Sequence, residues 1–132
     1  MNITHIRNAT QIIHYAGKRF LIDPMLADKG AWPGFPGTAR SELRNPLVEL
    51  PFSRDKIVDV DAVIVTHTHD DHWDAAAIAA IPKTLPEAKI MAIHLEAVNH
   101  CLVSREEMRQ YALDNQIADV VSIPQDGETV VY

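Results

Sequence analysis

The residues of this chain that are best suited to chemistry are concentrated in one short polar stretch. Residues 67–72 read His-Thr-His-Asp-Asp-His, so three of the seven histidines stand beside two aspartates. Imidazole nitrogens and carboxylate oxygens are ligands that zinc binds at about 2.0–2.2 Å. His67 and His69 are two residues apart, so in an extended chain they project to the same side and can chelate one ion. The stretch therefore predicts a metal site.

The segments on either side of this stretch indicate how it is positioned. Residues 62–65, Ala-Val-Ile-Val, are typical of a strand buried on both faces. Asp74 is expected to cap a helix over residues 75–80 that ends at Pro82. Asp71 and His72 lie where the chain turns toward that helix, so they can point into the same cavity. In open α/β sheets, ligands bind at the carboxyl ends of strands, which is where the stretch begins.

Later segments supply one more candidate ligand and the remaining elements. A second buried strand is predicted over residues 88–93, and it too ends on a histidine, His94. Ser104 and Glu107 have the spacing of a capping box, which predicts a helix from there to about residue 115. Two closing strands, residues 119–123 and 128–132, are predicted around a turn at residues 124–127.

The first 56 residues predict a hairpin followed by a long loop. Residues 3–15 and 19–22 read as two strands joined by a turn, and Asp23-Pro24 ends the second strand. Residues 25–56 are rich in glycine and proline, which indicates a long ordered loop with a helical turn near residues 38–44. Such a loop is often a functional lid. Its candidate lid and anion contacts are Trp32, Arg40, Arg44 and Arg54, although scattered surface arginines are equally consistent with the pattern.

Composition limits the classes of protein that fit. Twelve basic and 18 acidic residues give a net charge of −6, which argues against a nucleic-acid or anionic-membrane partner. The length suits one domain over residues 1–132. The lone Cys101 cannot form an internal disulfide, and no apolar run approaches the ~20 residues of a membrane span. A cytoplasmic location and a small-molecule substrate are expected.

The segment from Thr66 to His72 matches the His-x-His-x-Asp-His signature of the metallo-β-lactamase-fold hydrolases. Residues 21–24, Leu-Ile-Asp-Pro, resemble that family's first motif, in which Asp23 would hold the metal loop by hydrogen bonds. The chain is most similar to the metal-dependent hydrolases related to ascorbate-6-phosphate lactonase. The resemblance implies an α/β fold, the αββα sandwich. It also implies hydrolysis of a small, anionic lactone, ester or phosphoester by a metal-bound hydroxide.

The resemblance also assigns roles to individual residues. His67 and His69 would bind the first metal, and Asp71 and His72 the second, which His94 would complete. Asp71 would also be catalytic, because its carboxylate could orient the hydroxide and accept its proton. Zinc is the expected ion, although mixed imidazole and carboxylate ligands also admit Mn²⁺ or Fe²⁺. No substrate-binding residue is assigned by the motif.

This sequence departs from the family between the helix and the strand that ends at His94. Family members carry a middle segment there, with a further histidine and a bridging aspartate, whereas here only residues 81–87 join the two parts. An internal deletion near residues 85–87, and thus an internally truncated fold, is expected. Asp71, His72 and His94 would form the more complete site. His100 is an alternative ligand.

Loss of the middle segment would expose strand edges, which favours a homo-oligomer. Two alternatives to an active hydrolase therefore stay open. One is a truncated, catalytically silent relative that binds metal or only oligomerises, and the other is a metal-storage or sensor module.

Overall fold

The computed structural model describes residues 1–84, 87–93, 95–99, 101 and 103–132. The chain forms two compact units, Met1–Pro86 and Glu87–Tyr132. The expected single domain with a deletion near residues 85–87 stays a prediction, and residues 85 and 86 lie outside the described residues. No helix in the described part of the chain is long and apolar enough to cross a bilayer.

The first unit contains a four-stranded sheet with the strand order β1-β2-β3-β4. The first three strands are antiparallel, and β4 runs parallel to β3. Three strands replace the two predicted before residue 23, because the chain also reverses at Asn8, whose φ is 50°. Asparagine adopts this left-handed conformation more readily than most residues. The strands are β1 Asn2–Arg7, β2 Thr10–Tyr15, β3 Lys18–Ile22 and β4 Ala62–Ile64.

Two helices pack with this sheet. Helix α1, Arg54–Val58, was not predicted, and α2, Ala75–Thr84, follows β4. Asp74 caps α2 as predicted, because its Oδ1 accepts the Ala77 N–H at 2.9 Å. The helix continues to Thr84, past Pro82, where the prediction ended it. The core consists of Ile6, Ile12, Leu21, Leu26, Ile57, Val58, Val60, Ala77 and Ile81.

Strand β4 differs from its prediction as a strand buried on both faces. It is the last strand in the sheet order, and Ile64 is 48% exposed. Ala62 and Val63 are only half-buried. Burial on both faces requires a packed layer on each side of the sheet. The described residues do not cover both faces of β4, although its apolar run is present.

The long loop is ordered, as predicted. Arginine side chains stabilise it by donating hydrogen bonds to its backbone carbonyl oxygens. The Arg7 guanidinium is buried and donates to the carbonyl oxygens of Met25, Ala27 and Val48. Arg44 donates to two carbonyl oxygens within the loop. Residues 38–44 form turns rather than the expected helical turn.

The second unit contains a parallel pair, β5 Ile90–Met91 and β6 Val121–Ser122, and helix α3, Arg105–Asp114. The capping box of Ser104 and Glu107 is present as predicted. The strand predicted over residues 88–93 is shorter, and its two residues are exposed rather than buried. The chain turns near Gly127 as expected, but residues 128–132 do not form the predicted closing strand. A short run of residues that favour strands does not by itself supply a pairing partner.

Candidate metal centre

The polar stretch that follows β4 brings three predicted ligands together. Each of His67, His69 and Asp71 offers one ligand atom, and these atoms all lie within 4.8 Å of one another. The two histidines are exposed and Asp71 is half-buried. The imidazole rings of His67 and His69 meet edge to face, with centroids 4.8 Å apart. We call this group of three residues the metal cluster.

The donor set of the metal cluster suits a divalent cation. Two ligands at about 2.0–2.2 Å from a tetrahedral ion lie roughly 3.3–3.6 Å apart. The widest separation in the cluster is larger than this, but rotation of exposed imidazoles can close the difference. Imidazole nitrogens with a carboxylate oxygen are ligands for zinc, and also for manganese and iron. The residues therefore fit a divalent ion held by His67, His69 and Asp71.

Asp23 holds the start of this stretch without belonging to the metal cluster. It is only 4% exposed, and its Oδ1 accepts the Thr66 backbone N–H at 2.6 Å. Its Oδ2 accepts the Thr66 hydroxyl at 2.8 Å and lies 2.9 Å from Nδ1 of His72. Because an ionised carboxylate only accepts, Nδ1 carries the proton. Asp23 therefore has the hydrogen-bonding role that the family resemblance implied.

Hydrogen bonds keep the Asp23 carboxylate ionised in this buried position. Burial alone would raise the pKa of Asp23, but the hydrogen bonds from Thr66 and His72 outweigh it. The pKa of Asp23 is therefore lowered from its ordinary value.

His72 is oriented by Asp23 and faces Asp71 with its other nitrogen. Its Nε2 lies 3.6 Å from Oδ2 of Asp71. A histidine that donates one ring nitrogen to a carboxylate presents the other, unprotonated, to a metal. The side chain is 20% exposed, and its ring centroid lies 3.7 Å from that of His67. This geometry makes His72 a further candidate ligand beside Asp71.

Two residues that sequence reasoning missed connect the N-terminal strands to this site. Asn8 donates from Nδ2 to the backbone oxygen of Asp71 at 3.0 Å. Thr10 is fully buried, accepts the Met25 N–H at 3.0 Å and donates to the Asp23 carbonyl at 2.7 Å. The asparagine itself was the available signal, because asparagine favours turns, but the strand reversal at Asn8 was not predicted.

Asp74 joins the end of the stretch to the start of the long loop. Its side chain is buried, and its Oδ2 accepts the Ala27 N–H at 2.7 Å while Oδ1 caps α2. The polar stretch is therefore held at both ends by a buried aspartate. Such anchoring limits how far its side chains can move without breaking buried hydrogen bonds.

The predicted ligands thus fall into three groups. His67, His69 and Asp71 form the metal cluster, and His72 lies beside Asp71. His94 lies outside the described residues, as does the alternative ligand His100. The expected division into two metal sites stays a prediction.

A cavity of about 330 Å³ opens beside Asp71. Its walls come from the long loop and from the turn after β1, including Asn8, Trp32 and Arg40. Small-molecule sites are concave and typically about 300–1,000 Å³ in volume. A metal cluster next to a cavity of this size is an arrangement that can hold a substrate and polarise one of its bonds.

Residues 2–132 match the family model of the beta-lactamase superfamily domain, so the chain belongs to this superfamily. Two solved structures are similar over nearly its whole length. The isothiocyanate hydrolase from Delia radicum gut bacteria has a TM-score of 0.57 and 29% identity, covering 100% of this chain and 99% of that one. A possible metal-dependent hydrolase from Veillonella parvula has a TM-score of 0.59 and 26% identity, covering 97% and 98%.

Two curated proteins are similar over a shorter segment. The UPF0173 protein YddR of Bacillus subtilis is 60% identical over 86 residues, which cover 64% of this chain and 34% of that protein. The N-acyl-phosphatidylethanolamine-hydrolyzing phospholipase D 1 of Caenorhabditis elegans is 33% identical over 86 residues, which cover 65% and 22%. The matches thus span about a third and a fifth of these relatives. The predicted α/β fold and membership of the metallo-β-lactamase-fold hydrolases are confirmed.

Proposed function

We propose that the protein is a metal-dependent hydrolase of a small, anionic lactone, ester or phosphoester. The observation that carries this proposal is the metal cluster, which adjoins a cavity of about 330 Å³ through Asp71. Similar solved structures include an isothiocyanate hydrolase and a possible metal-dependent hydrolase, and a curated relative is named for hydrolysing a phospholipid. Hydrolysis is the chemistry these names share.

The chain's own residues divide the work between binding and proton transfer. When bound, a divalent cation supplies Lewis acidity and makes water more acidic. His67, His69 and one carboxylate oxygen of Asp71 would hold that cation. The other oxygen of Asp71 would accept a proton from the attacking water, since Asp71 lines the cavity. Asp23 keeps His72 oriented toward Asp71.

The proposal extends to the ion and to the cellular setting. Zinc is the proposed cation because histidines dominate the ligands, with Mn²⁺ and Fe²⁺ as substitutes. A second ion at Asp71, His72 and His94 stays a prediction of the family resemblance, because His94 lies outside the described residues. The lone Cys101 is compatible with a reducing compartment, so a cytoplasmic location is proposed.

The proposal predicts that hydrolysis depends on the metal cluster. Protein stripped of metal and reloaded with zinc is assayed on γ-butyrolactone, 4-nitrophenyl acetate and 4-nitrophenyl phosphate. We expect His69→Ala to lower kcat/KM at least about 100-fold, because a missing ligand weakens both ion binding and its orientation. His14→Ala, which removes an exposed histidine from β2, is the matched control. Equal activity in the wild type and in His69→Ala would overturn the assignment.

A second candidate function is a silent metal-binding or oligomerising relative. It is favoured by the exposure of Ile64 on the edge strand β4. Stoichiometric zinc binding without turnover of any of the three substrates would support it over the hydrolase.

A further inference from the structure

The cavity beside Asp71 has an apolar wall. We call this cavity the loop pocket, and its apolar wall consists of Trp32, Phe35, Leu43, Leu47 and Val48. The rings of Trp32 and Phe35 lie 5.4 Å apart and tilted by 60°. Phe35, Leu43 and Leu47 are each about 40% exposed around the opening. Clustered exposed apolar side chains in a concave surface are typical of a ligand site.

The loop's arginines differ in what they already bind. Arg44 donates to the Gly30 and Ala31 carbonyls. Arg54 binds the Leu26 carbonyl and the Asp28 carboxylate.

Arg7 lines the loop pocket but donates to three carbonyl oxygens. Within the part of the chain that the structure describes, Arg40 lines the pocket, is exposed, and has a guanidinium with no hydrogen bond or ion pair. It is thus the arginine left to contact an anion.

The charges that line the loop pocket indicate how a ligand would lie in it, with the bond to be hydrolysed beside Asp71. Asp71 is the acidic residue among the described residues that line the loop pocket, and it belongs to the metal cluster. Arg7 contributes a second positive charge, and among the described residues it bonds carbonyl oxygens rather than a carboxylate. A ligand in the pocket therefore meets apolar walls, a free guanidinium and the metal cluster.

We propose that the loop pocket selects organic anions with an apolar body, which it packs against Trp32, Phe35 and Leu47 while Arg40 contacts the anionic group. This inference rests on the proposed hydrolase function, because it places the hydrolysable bond beside Asp71. It narrows the proposed substrates from small anions in general to anions that carry an apolar group. The pocket's volume of about 330 Å³ is large enough for a phenyl or short acyl group.

The backbone of the loop is shaped to form this pocket. A Cβ at Gly34 would lie 2.6 Å from the Leu43 carbonyl oxygen and would also overlap that of Ser41. Glycine therefore allows the two sides of the loop to meet. Arg40 has a φ of 58°, in the left-handed region that few non-glycine residues adopt. This conformation is fixed by the surrounding loop, where the Leu43 N–H bonds to the Arg40 carbonyl at 3.0 Å.

The inference is tested by binding rather than by turnover. Calorimetry on the zinc-loaded chain measures the affinities of 4-phenylbutyrate, its neutral amide 4-phenylbutyramide, and acetate. We expect the phenyl acid to bind most tightly, the amide about fivefold more weakly, and acetate more weakly still, since a solvent-accessible charge pair contributes up to about this factor. Equal affinities for the acid and its amide would overturn the role of Arg40.

Matched variants distinguish a specific contact with Arg40 from a general effect of the protein's charge. Arg40→Gln is expected to weaken 4-phenylbutyrate about fivefold and to leave the amide unchanged. Lys29→Gln removes the same charge from an exposed position on the same loop and should change neither affinity by more than about twofold. A direct bond between the acid and zinc would leave Arg40→Gln without effect, and that result would contradict the inference.

The apolar wall is tested with a second pair of variants. Leu47→Asn should weaken the acid and the amide alike, whereas Leu113→Asn, at an exposed leucine of α3, should weaken neither. Thermal unfolding of each variant checks that the fold is retained. The hydrolase proposal and the loop-pocket proposal can fail independently, because the binding preference is measured without hydrolysis. Absence of metal-dependent turnover would contradict the proposed function, and absence of these preferences would contradict the loop pocket.

Discussion

At the residue scale, Asp23 organises the candidate metal centre from outside it. Its buried carboxylate accepts hydrogen bonds from Thr66 and His72 and so links strand β3 to the stretch that bears the metal cluster. Carboxylates in this position set the orientation of a metal-binding histidine and increase its basicity. The sequence motif of the family places an aspartate here, and the structure shows the bonds through which it acts.

Replacement of Asp23 should therefore weaken metal binding without removing a ligand. We expect Asp23→Asn to raise the zinc Kd about 10- to 100-fold, because the amide cannot accept as strongly as the carboxylate and presents an N–H to His72. The loss of buried hydrogen bonds should also lower the free energy of unfolding by about 1–3 kcal/mol. Chelator competition and urea unfolding measure the two effects. Asp55→Asn, at an exposed aspartate of α1, is the control and should change neither.

At the scale of elements, local signals predicted local features correctly. The cap at Asp74 and the capping box of Ser104 and Glu107 are formed by residues within a few positions of each other, and both are present. Helix α1 was missed because five residues carry too little periodicity to be recognised. The burial of β4 was misjudged because it depends on layers contributed by distant parts of a chain, which a run of apolar residues does not reveal.

In the candidate site too, local features could be predicted from the sequence and long-range contacts could not. The ligand cluster could be predicted because its residues are contiguous in sequence and match a family motif. The contacts of Asn8 and Arg7 could not, because they join residues 18 to 63 positions apart. Nothing in the spacing of the loop arginines distinguished Arg40 from Arg44. The difference lies in hydrogen bonds that exist only after folding.

Helix α3 should show a pH-dependent stability that originates at its N-terminus. The pKa of Glu107 is lowered by hydrogen bonds from the backbone N–H and the hydroxyl of Ser104. The pKa of Glu96 is lowered by hydrogen bonds from the backbone and side chain of Arg105. Because both folded-state values lie below the ordinary value, their contribution is complete above about pH 4.5 and is lost as the pH falls through the lowered values.

Amide hydrogen exchange of α3 between pH 3 and 6 measures this effect. After correction for the intrinsic exchange rate, protection should fall as the pH is lowered through this range. Glu107→Gln should reduce the pH dependence, whereas Asp119→Asn, which removes an exposed carboxyl outside α3, should leave it intact. Constant protection down to pH 3 would show that these bonds contribute no stability.

At the scale of the whole molecule, the edge strand β4 raises the question of assembly. The strand is the last in its sheet, and Ile64 is 48% exposed. Exposed apolar edges favour pairing with another chain, and a homo-oligomer is the assembly that the sequence led us to expect. We expect sedimentation to show more than one chain per particle and Ile64→Lys to shift it toward the monomer. Ile78→Lys, at an exposed isoleucine of α2, is the matched control, and a monomeric wild type would contradict the expectation.

The central claim is that the stretch after β4 is a metal centre, and native mass spectrometry tests it most directly. The chain is stripped with a chelator, reloaded with zinc and desalted, and the number of ions per chain is counted. We predict at least one zinc per chain in the wild type and in His14→Ala, and loss of that zinc in His69→Ala, because His69 supplies one of the three ligand atoms that the described residues bring together. A wild-type chain that retains no zinc, or a His69→Ala variant that retains as much, would contradict the account.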